Sequence, residues 1–208
     1  KKFGKPPTRP ISGIVLANPN APTGILLELK PIRKILEANS NVVVLVDEAY
    51  IDFSEDEKAV SALTLIDEYP NLLVSRTFSK SRSLAGLRVG YALGQPELIE
   101  GLNRVKNSFN SFPVGCLAQS AAQASIEDET YFQDKRRAAI EQRDFLVREL
   151  CTLGFDCLPS AANFVMASHK IRHADELAQQ LRQKKIIVRY FNKPRLENFL
   201  RITVGSQD

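Results

Sequence analysis

The sequence has 208 residues, of which 28 are Lys or Arg and 24 are Asp or Glu, so its formal net charge is +4. With 44% hydrophobic and 25% charged residues, its composition excludes disordered, collagen-like and coiled-coil chains. Its apolar runs are too short to cross a bilayer, and its positive charges are scattered rather than gathered into a nucleic-acid patch. Three cysteines without a C-x-x-C pair favour a reducing compartment. We therefore expect a cytoplasmic globular protein with neither membrane nor nucleic-acid partners.

The first half of the sequence alternates apolar segments with polar ones. A helix is predicted from Pro31, because Ile32 and Leu36 fall on one face, and Asn39 lies near its end. The segment Val42–Val46 is apolar at every position, as in a central strand that is covered on both faces. Strands separated by helices imply crossover connections, so we predict an α/β fold with a mostly parallel sheet and flanking helices. The predicted strands are Ile14–Ala17, Val42–Val46, Leu72–Val74 and Val89–Leu93.

The second half begins with helices and ends with strands. The segment 117–126 is rich in Ala, and 130–153 carries the apolar stripe of one long helix, with Gly154 placed to end it. Further strands are predicted at Asn163–Met166, Ile186–Tyr190 and Phe199–Val204, with a helix around Leu177 and Leu181. We interpret residues 1–128 as part of a larger domain and residues 129–208 as a smaller α+β domain on the long helix.

Polar segments follow the first three predicted strands. They are Asn18–Gly24, Asp47–Tyr50 and Ser75–Lys80. Ligands of open parallel sheets bind beyond the carboxyl ends of the strands, so these segments are the candidate site. An apolar strand followed by Asp-Glu also occurs in nucleotide hydrolases, but the phosphate-binding sequence G-x-x-x-x-G-K-[ST] is absent from these residues. A nucleotide hydrolase is therefore the weaker alternative.

The joint pattern of four segments resembles a known family. The lysine segment, Ser79-Lys80 followed by Leu84–Gly90, resembles the signature of fold-type-I pyridoxal-phosphate aminotransferases. Together with the segments at 18–24 and 47–53, it resembles the histidinol-phosphate aminotransferase family, and Phe199–Ser206 is similar to that family's carboxylate-binding strand. The resemblance extends from residue 14 to residue 206. It implies pyridoxal 5'-phosphate as the cofactor.

The resemblance also implies a role for each matching residue at the cofactor. Lys80 would bind the cofactor's aldehyde and move the substrate proton, because only an amine can do both. Asp47 would pair with the pyridine nitrogen, and Tyr50 would hydrogen-bond the phenolic oxygen. The cofactor's phosphate would be held by two hydroxyls and a guanidinium, which suit a dianion; these residues are Thr77, Ser79 and Arg88.

The substrate side of the resemblance rests on two arginines. Arg201 resembles the residue that binds an amino acid's α-carboxylate through two parallel hydrogen bonds, and Arg189 matches the position that helps bind the substrate's phosphate. The implied reaction is amino transfer between glutamate or 2-oxoglutarate and a phosphorylated substrate, histidinol phosphate or imidazole acetol phosphate, in histidine biosynthesis. Threonine-phosphate decarboxylase and aromatic aminotransferase are alternatives of the same fold. A non-catalytic fragment or interaction module is the alternative of another class.

The sequence departs from the family at the first strand end. Many relatives have Asn immediately before Pro-Thr-Gly, whereas Ala21 occupies that position here and Asn20 precedes it. Either Asn20 takes over the contact with the cofactor, or Tyr50 makes it alone. We list Asn20 as a cofactor contact.

A second departure concerns length. The sequence begins at Lys1 without an initiator Met, and relatives carry a substantial portion before the first strand seen here. We expect these residues to be the later part of a homodimeric enzyme.

His169 and His173 are four residues apart, but they lack the third ligand of a metal site, so no metal is predicted.

Overall fold

A computed structural model describes residues 11–55, 60–110 and 113–206 of the chain. Its first half contains a four-stranded sheet with the order β1-β2-β3-β4. The pairs β1–β2 and β2–β3 are parallel and β3–β4 is antiparallel, which confirms an α/β fold with a mixed, mostly parallel sheet. The strands are β1 (Ile14–Ala17), β2 (Val44–Asp47), β3 (Leu72–Thr77) and β4 (Gly90–Gly94).

Helix α1 (Leu29–Ala38) covers the middle of this sheet. Its residues Ile32 and Leu36 are fully buried against the side chains of β2 and β3. The helix begins two residues before the predicted start, so Pro31 lies in the first turn, where its missing N–H leaves no bond unmade. It ends at Asn39 as predicted. A 3-10 helix at Ala62–Leu65 completes the same core.

The strand bounds differ from the predictions in ways that matter for the site. The predicted strand Val42–Val46 begins only at Val44 and continues through Asp47. The strand predicted to end at Val74 continues to Thr77, because it pairs with β4 as far as Gly90. Two polar segments that were expected to follow the strands are therefore partly within them.

Three helices connect the two halves of the chain. They are α2 (Pro96–Phe109), α3 (Cys116–Glu127) and α4 (Glu129–Thr152). The long helix α4 forms as predicted, shifted by one residue. The side chain of Asp128 accepts a hydrogen bond from the Tyr131 N–H at its start, and Gly154, with φ +88°, follows its end.

The last part of the chain forms a second, antiparallel sheet with the order β5-β6-β8-β7. Its strands are β5 (Phe155–Cys157), β6 (Phe164–His169), β7 (Arg189–Tyr190) and β8 (Leu200–Thr203), and α5 (Ala174–Gln183) precedes β7. Leu177 of α5 packs against Leu200, while Leu150 of α4 packs against Val165.

The predicted strand Ile186–Tyr190 was too long at its start. The N–H of Ile186 donates to the carbonyl of Leu181, so this residue still belongs to the turn that ends α5. Lys185 has φ +64°, which turns the backbone away from an extended conformation. Only Arg189 and Tyr190 pair with β8.

Loops of the first sheet form hydrogen bonds with the turn before β6 and with the long helix α4. The carbonyl of Gly24 accepts a hydrogen bond of 2.9 Å from the N–H of Ala161. The carbonyl of Phe53 accepts one of 2.8 Å from the guanidinium of Arg143. The first contact holds the loop after β1 against the turn that precedes β6, and the second holds the segment after β2 against α4. Within the described ranges, no helix is both long and apolar enough to span a membrane.

Gly24 cannot be replaced without strain. Its φ of +80° disfavours any side chain, and a Cβ atom at this position would overlap the side chain of Ser160. We expect Gly24→Ala to lower the free energy of unfolding by about 2 kcal/mol, measured by urea denaturation. Gly101→Ala, in an exposed turn of α2 with no atom within 4 Å of the new Cβ, is the control and should not destabilise. Equal effects of the two substitutions would contradict this account.

Candidate active site

The parallel register brings the ends of the first three strands level. Asp47 is paired with Ala17 on one side and with Ser75 on the other. The hydroxyl of Ser75 donates a hydrogen bond of 3.1 Å to Oδ1 of Asp47, and the carbonyl of Asp47 accepts one of 2.9 Å from Asn18. The carboxylate of Asp47 is thereby oriented by the neighbouring strand.

Lys80 lies close to the segment that follows Asp47. Its Nζ atom is 5.2 Å from the centroid of the Tyr50 ring, within the range of a cation–π contact. Tyr50 follows β2 and Lys80 follows β3, so the two segments converge at one edge of the sheet. The structure therefore brings the predicted amine and phenol together, beside the strand end that carries Asp47.

The three residues predicted to bind phosphate lie at the end of β3 and in the loop between β3 and β4. Oγ1 of Thr77 accepts a hydrogen bond of 3.1 Å from the N–H of Ser79. Nη1 of Arg88 lies 3.5 Å from Oγ of Ser79 and donates a hydrogen bond of 2.8 Å to the carbonyl of Ala85. Two hydroxyls and one guanidinium therefore lie at the end of β3 and in the loop that follows it, and they are the kinds of donor that suit a bound dianion.

Asn20 lies in the loop after β1, and its side chain bonds within that loop. Asn20 is exposed, and its Oδ1 accepts a hydrogen bond of 2.8 Å from the Thr23 hydroxyl of the same loop. The residue that the sequence analysis missed is Asn18, which is 1% exposed and makes two hydrogen bonds with the backbone of Leu27. A buried Asn directly after a strand, before two prolines, is typical of a residue that closes a loop by bonding its backbone. The peptide bonds Asn18–Pro19 and Ala21–Pro22 are both cis.

The two predicted substrate arginines are neighbours on the second sheet. Arg189 pairs with Arg201 across β7 and β8, and both line a cavity of about 510 Å³ at the β7 edge. The Arg201 guanidinium carbon lies 5.0 Å from the ring centroid of Phe164 and 5.9 Å from that of Phe191. The Arg189 guanidinium carbon also lies over the Phe191 ring, 5.5 Å from its centroid. The Nε atom of Arg201 is buried and has no hydrogen-bond partner in the part of the chain that the structure describes.

A buried ion pair on the opposite face of the same strand ends was not predicted. Glu48 is 2% exposed, and its Oε2 accepts hydrogen bonds of 3.1 and 3.0 Å from Nε and Nη2 of Arg76. The Ser61 hydroxyl and the Ala62 N–H also donate to this carboxylate. Successive side chains of a strand point to opposite faces of the sheet. Glu48 and Arg76 therefore point to the face opposite that of Asp47 and Ser75. Alternation gives the face on which each residue lies, but only the register of β2 with β3 shows that the two residues pair.

The ion pair is linked to the loop that carries Lys80. Nη1 of Arg76 lies 3.6 Å from Oδ1 of Asp52, and Oδ2 of Asp52 accepts a hydrogen bond from the hydroxyl of Ser81. Burial raises the pKa of Glu48 by more than the Arg76 guanidinium lowers it. This network, which includes the titratable side chain of Glu48, therefore fixes the strand ends on the face opposite Asp47.

Metal ligands are not grouped in the described residues, where no set of three or more His, Cys, Asp and Glu could hold an ion. The Nε2–H of His169 instead donates a hydrogen bond of 3.2 Å to the Leu153 carbonyl, while its Nδ1 accepts from the N–H groups of Ile171 and Arg172. Its ring and the ring of Phe155 lie edge to face. Its role is to fix the turn between α4 and β5.

Comparison with known proteins gives this arrangement a context. The profile of the family Aminotransferase class I and II matches residues 2–208. A histidinol-phosphate aminotransferase of Acinetobacter baumannii (strain SDF) is 54% identical over 201 residues, which are 97% of this chain and 55% of that protein. That of Acetobacter pasteurianus is 57% identical over 197 residues, 95% of this chain and 54% of that protein. The chain thus spans about half the length of the curated relatives it matches.

A solved structure shows the same relationship. The histidinol-phosphate aminotransferase of Sinorhizobium meliloti, in complex with pyridoxal-5'-phosphate, superposes with a TM-score of 0.83 at 25% identity. The match covers 94% of this chain and 53% of that protein. The similarity therefore extends over both sheets described above.

The raised pKa of Glu48 predicts a pH dependence of stability. The folded chain holds the proton of Glu48 more tightly than the unfolded chain, so this side chain stabilises the fold at acidic pH. The contribution is lost as pH rises above the ordinary value of 4.5 and through the raised one. We expect the unfolding free energy of the original chain to fall, relative to that of Glu48→Gln, between pH 4.5 and neutrality. Urea denaturation across this range measures the difference, and a difference that grows with pH would contradict the account.

Proposed function

This chain belongs to the class I and II aminotransferase family, and we propose that it is the lysine-bearing part of a pyridoxal-phosphate-dependent histidinol-phosphate aminotransferase. The complete protein would transfer an amino group between glutamate or 2-oxoglutarate and histidinol phosphate or imidazole acetol phosphate, in histidine biosynthesis. The relatives that are 54% and 57% identical carry this name, which supports the choice of reaction.

One observation carries the proposal more than any other. The Lys80 amine lies 5.2 Å from the ring centroid of Tyr50, just beyond the strand end that carries Asp47. An amine and a carboxylate reaching the same edge of a parallel sheet are the two groups that this cofactor requires at its opposite ends.

The residues fit the cofactor by the chemistry of their donors. Lys80 offers an amine for the aldehyde, Asp47 a carboxylate for the ring nitrogen, and the 77–88 loop offers hydroxyls and a guanidinium for the phosphate. When bound, the cofactor would supply a sink for the electrons released when the substrate's Cα–H bond breaks. Asn20 remains a proposed contact, with Tyr50 able to bond the phenolic oxygen alone.

The chain's own residues then have defined tasks. Lys80 would take the proton from the substrate's α-carbon and return it, since its amine is the base within reach. Asp47, oriented by the Ser75 hydroxyl at 3.1 Å, would hold a positive charge on the ring nitrogen. The backbone and hydroxyls of the 77–88 loop would fix the cofactor against rotation while the proton moves.

The substrate would be bound by the second sheet. Arg201 would pair with the α-carboxylate, and its buried, unpartnered Nε supports this role because a ligand would satisfy that donor. Arg189, on the neighbouring strand of the same cavity, would bind the substrate's phosphate. A division into a large domain at 1–128 and a small domain at 129–208 would let the two sheets close on the substrate. We propose a cytoplasmic homodimer for the complete protein.

The substrate can be decided with the complete protein. We expect glutamate-dependent turnover of imidazole acetol phosphate, and loss of that turnover in Lys80→Ala because the base and the cofactor's anchor are removed together. Release of CO2 from threonine phosphate would identify the decarboxylase instead, and turnover of aromatic amino acids the aromatic aminotransferase. Equal behaviour of the original protein and Lys80→Ala would identify a non-catalytic module.

The 208 residues alone should bind the cofactor poorly. The relatives are nearly twice as long, and we propose that the remaining part supplies the other wall of the pocket, including an aromatic ring that stacks on the cofactor. After addition of pyridoxal phosphate and reduction with borohydride, peptide mapping should find little pyridoxyl label on Lys80. Stoichiometric labelling of Lys80 in this chain would contradict the expectation.

A further inference from the structure

A buried aromatic ring joins the lysine region to the arginine region. Phe164, the first residue of β6, is 2% exposed. Its ring meets the edge of the Tyr50 ring, with centroids 5.1 Å apart and planes at 87°. The Arg201 guanidinium carbon lies over the same ring at 5.0 Å. Phe164 therefore contacts both the ring that lies beside Lys80 and the arginine that would bind a carboxylate.

We propose that Phe164 is a positioning residue that holds Tyr50 and Arg201 in one fixed arrangement. In this role it acts through Tyr50 and Arg201, the two side chains that it contacts. Edge-to-face and cation–π contacts depend on orientation, so one ring that makes both contacts fixes the two partners relative to each other.

The state of Arg201 supports this role. A guanidinium is usually oriented by hydrogen bonds, but Nε of Arg201 is buried without a partner among the described residues. The contacts that orient it are the faces of Phe164 at 5.0 Å and Phe191 at 5.9 Å. Aromatic faces hold the cation without using its N–H groups, so the donors stay available for a ligand.

Phe164 also crosses between the two sheets. Tyr50 lies on the loop after β2 of the first sheet, while Phe164 and Arg201 lie on β6 and β8 of the second. When the second sheet is displaced, Arg201 moves with it. The Tyr50 ring would move together with Arg201 only if the Phe164 ring between them is retained. The inference rests on the proposed function in one respect, because it takes Arg201 to bind a carboxylate.

The test uses the 208-residue chain without cofactor, in which NMR resolves the Nε–Hε resonance of Arg201 and the ring protons of Tyr50. Cross-relaxation from the Phe164 ring to both groups is expected. In Phe164→Leu both resonances should move, because the ring's shielding is lost. Titration with glutarate should give a Kd about fivefold higher than for the original chain. Phe164→Tyr, which keeps the ring, should restore both properties.

Phe132→Leu is the matched control. Phe132 is 5% exposed and carries the guanidinium of Arg82 at 3.5 Å from its ring centroid, away from Arg201. This substitution removes a buried ring with a cation over it, but it should leave the Arg201 resonance and the glutarate affinity unchanged. Circular dichroism establishes that each variant is folded. If Phe164→Leu does not fold, the Arg201 resonance and the glutarate Kd are measured in Phe164→Met instead. The cross-relaxation from Phe164 is measured in the original chain and needs no variant.

The outcomes separate the two proposals. An Arg201 resonance that does not respond to glutarate in the original chain contradicts the carboxylate role of Arg201 in the proposed function. A normal glutarate response that Phe164→Leu leaves intact, or an absence of cross-relaxation from Phe164 to Arg201, overturns the positioning role alone.

Discussion

The parallel hydrogen bonding of β2 with β3 is the constraint on which the site depends. It sets Asp47 level with Ser75, so the segments that follow β2 and β3 begin at the same edge of the sheet. The chain then reaches Tyr50 after one strand and Lys80 after the other, and the two side chains meet at 5.2 Å. A shift of one residue in this register would turn Asp47 to the opposite face and exchange it with Glu48.

The two faces of these strand ends carry different chemistry. Asp47 is oriented by the hydroxyl of Ser75, which is a neutral donor. Glu48 is enclosed by Arg76, Ser61 and the Ala62 N–H, so its oxygens are hydrogen-bonded within the fold. A buried pair of this kind is weak evidence for stability but fixes geometry, because its bonds have few alternative arrangements. The same network reaches Ser81, beside Lys80, through Asp52.

Sequence patterns were sufficient where one physical rule dominates. The apolar runs identified β1 and a mostly parallel sheet, although not the antiparallel pairing of β4, and the apolar stripe of α4 with Gly154 behind it gave the long helix to within one residue. Patterns failed where tertiary contacts decide. Ile186 and its neighbour are apolar enough for a strand, but the end of α5 retains Ile186. The Glu48–Arg76 pair depends on the register of two strands, and the place of Phe164 depends on how two sheets meet. The roles of Asp47, Lys80, Arg88 and the two substrate arginines came from family resemblance, and the convergence of Lys80 on Tyr50 came from the structure.

The central claim is that Asp47 and Lys80 serve opposite ends of one bound ring. A crystal structure of the complete protein with pyridoxal phosphate measures this directly. We expect electron density that is continuous between the cofactor and Nζ of Lys80, with the pyridine nitrogen about 3 Å from a carboxylate oxygen of Asp47. Cofactor bound elsewhere, or a pyridine nitrogen that faces solvent or another side chain while Asp47 remains bonded only to Ser75, would contradict it.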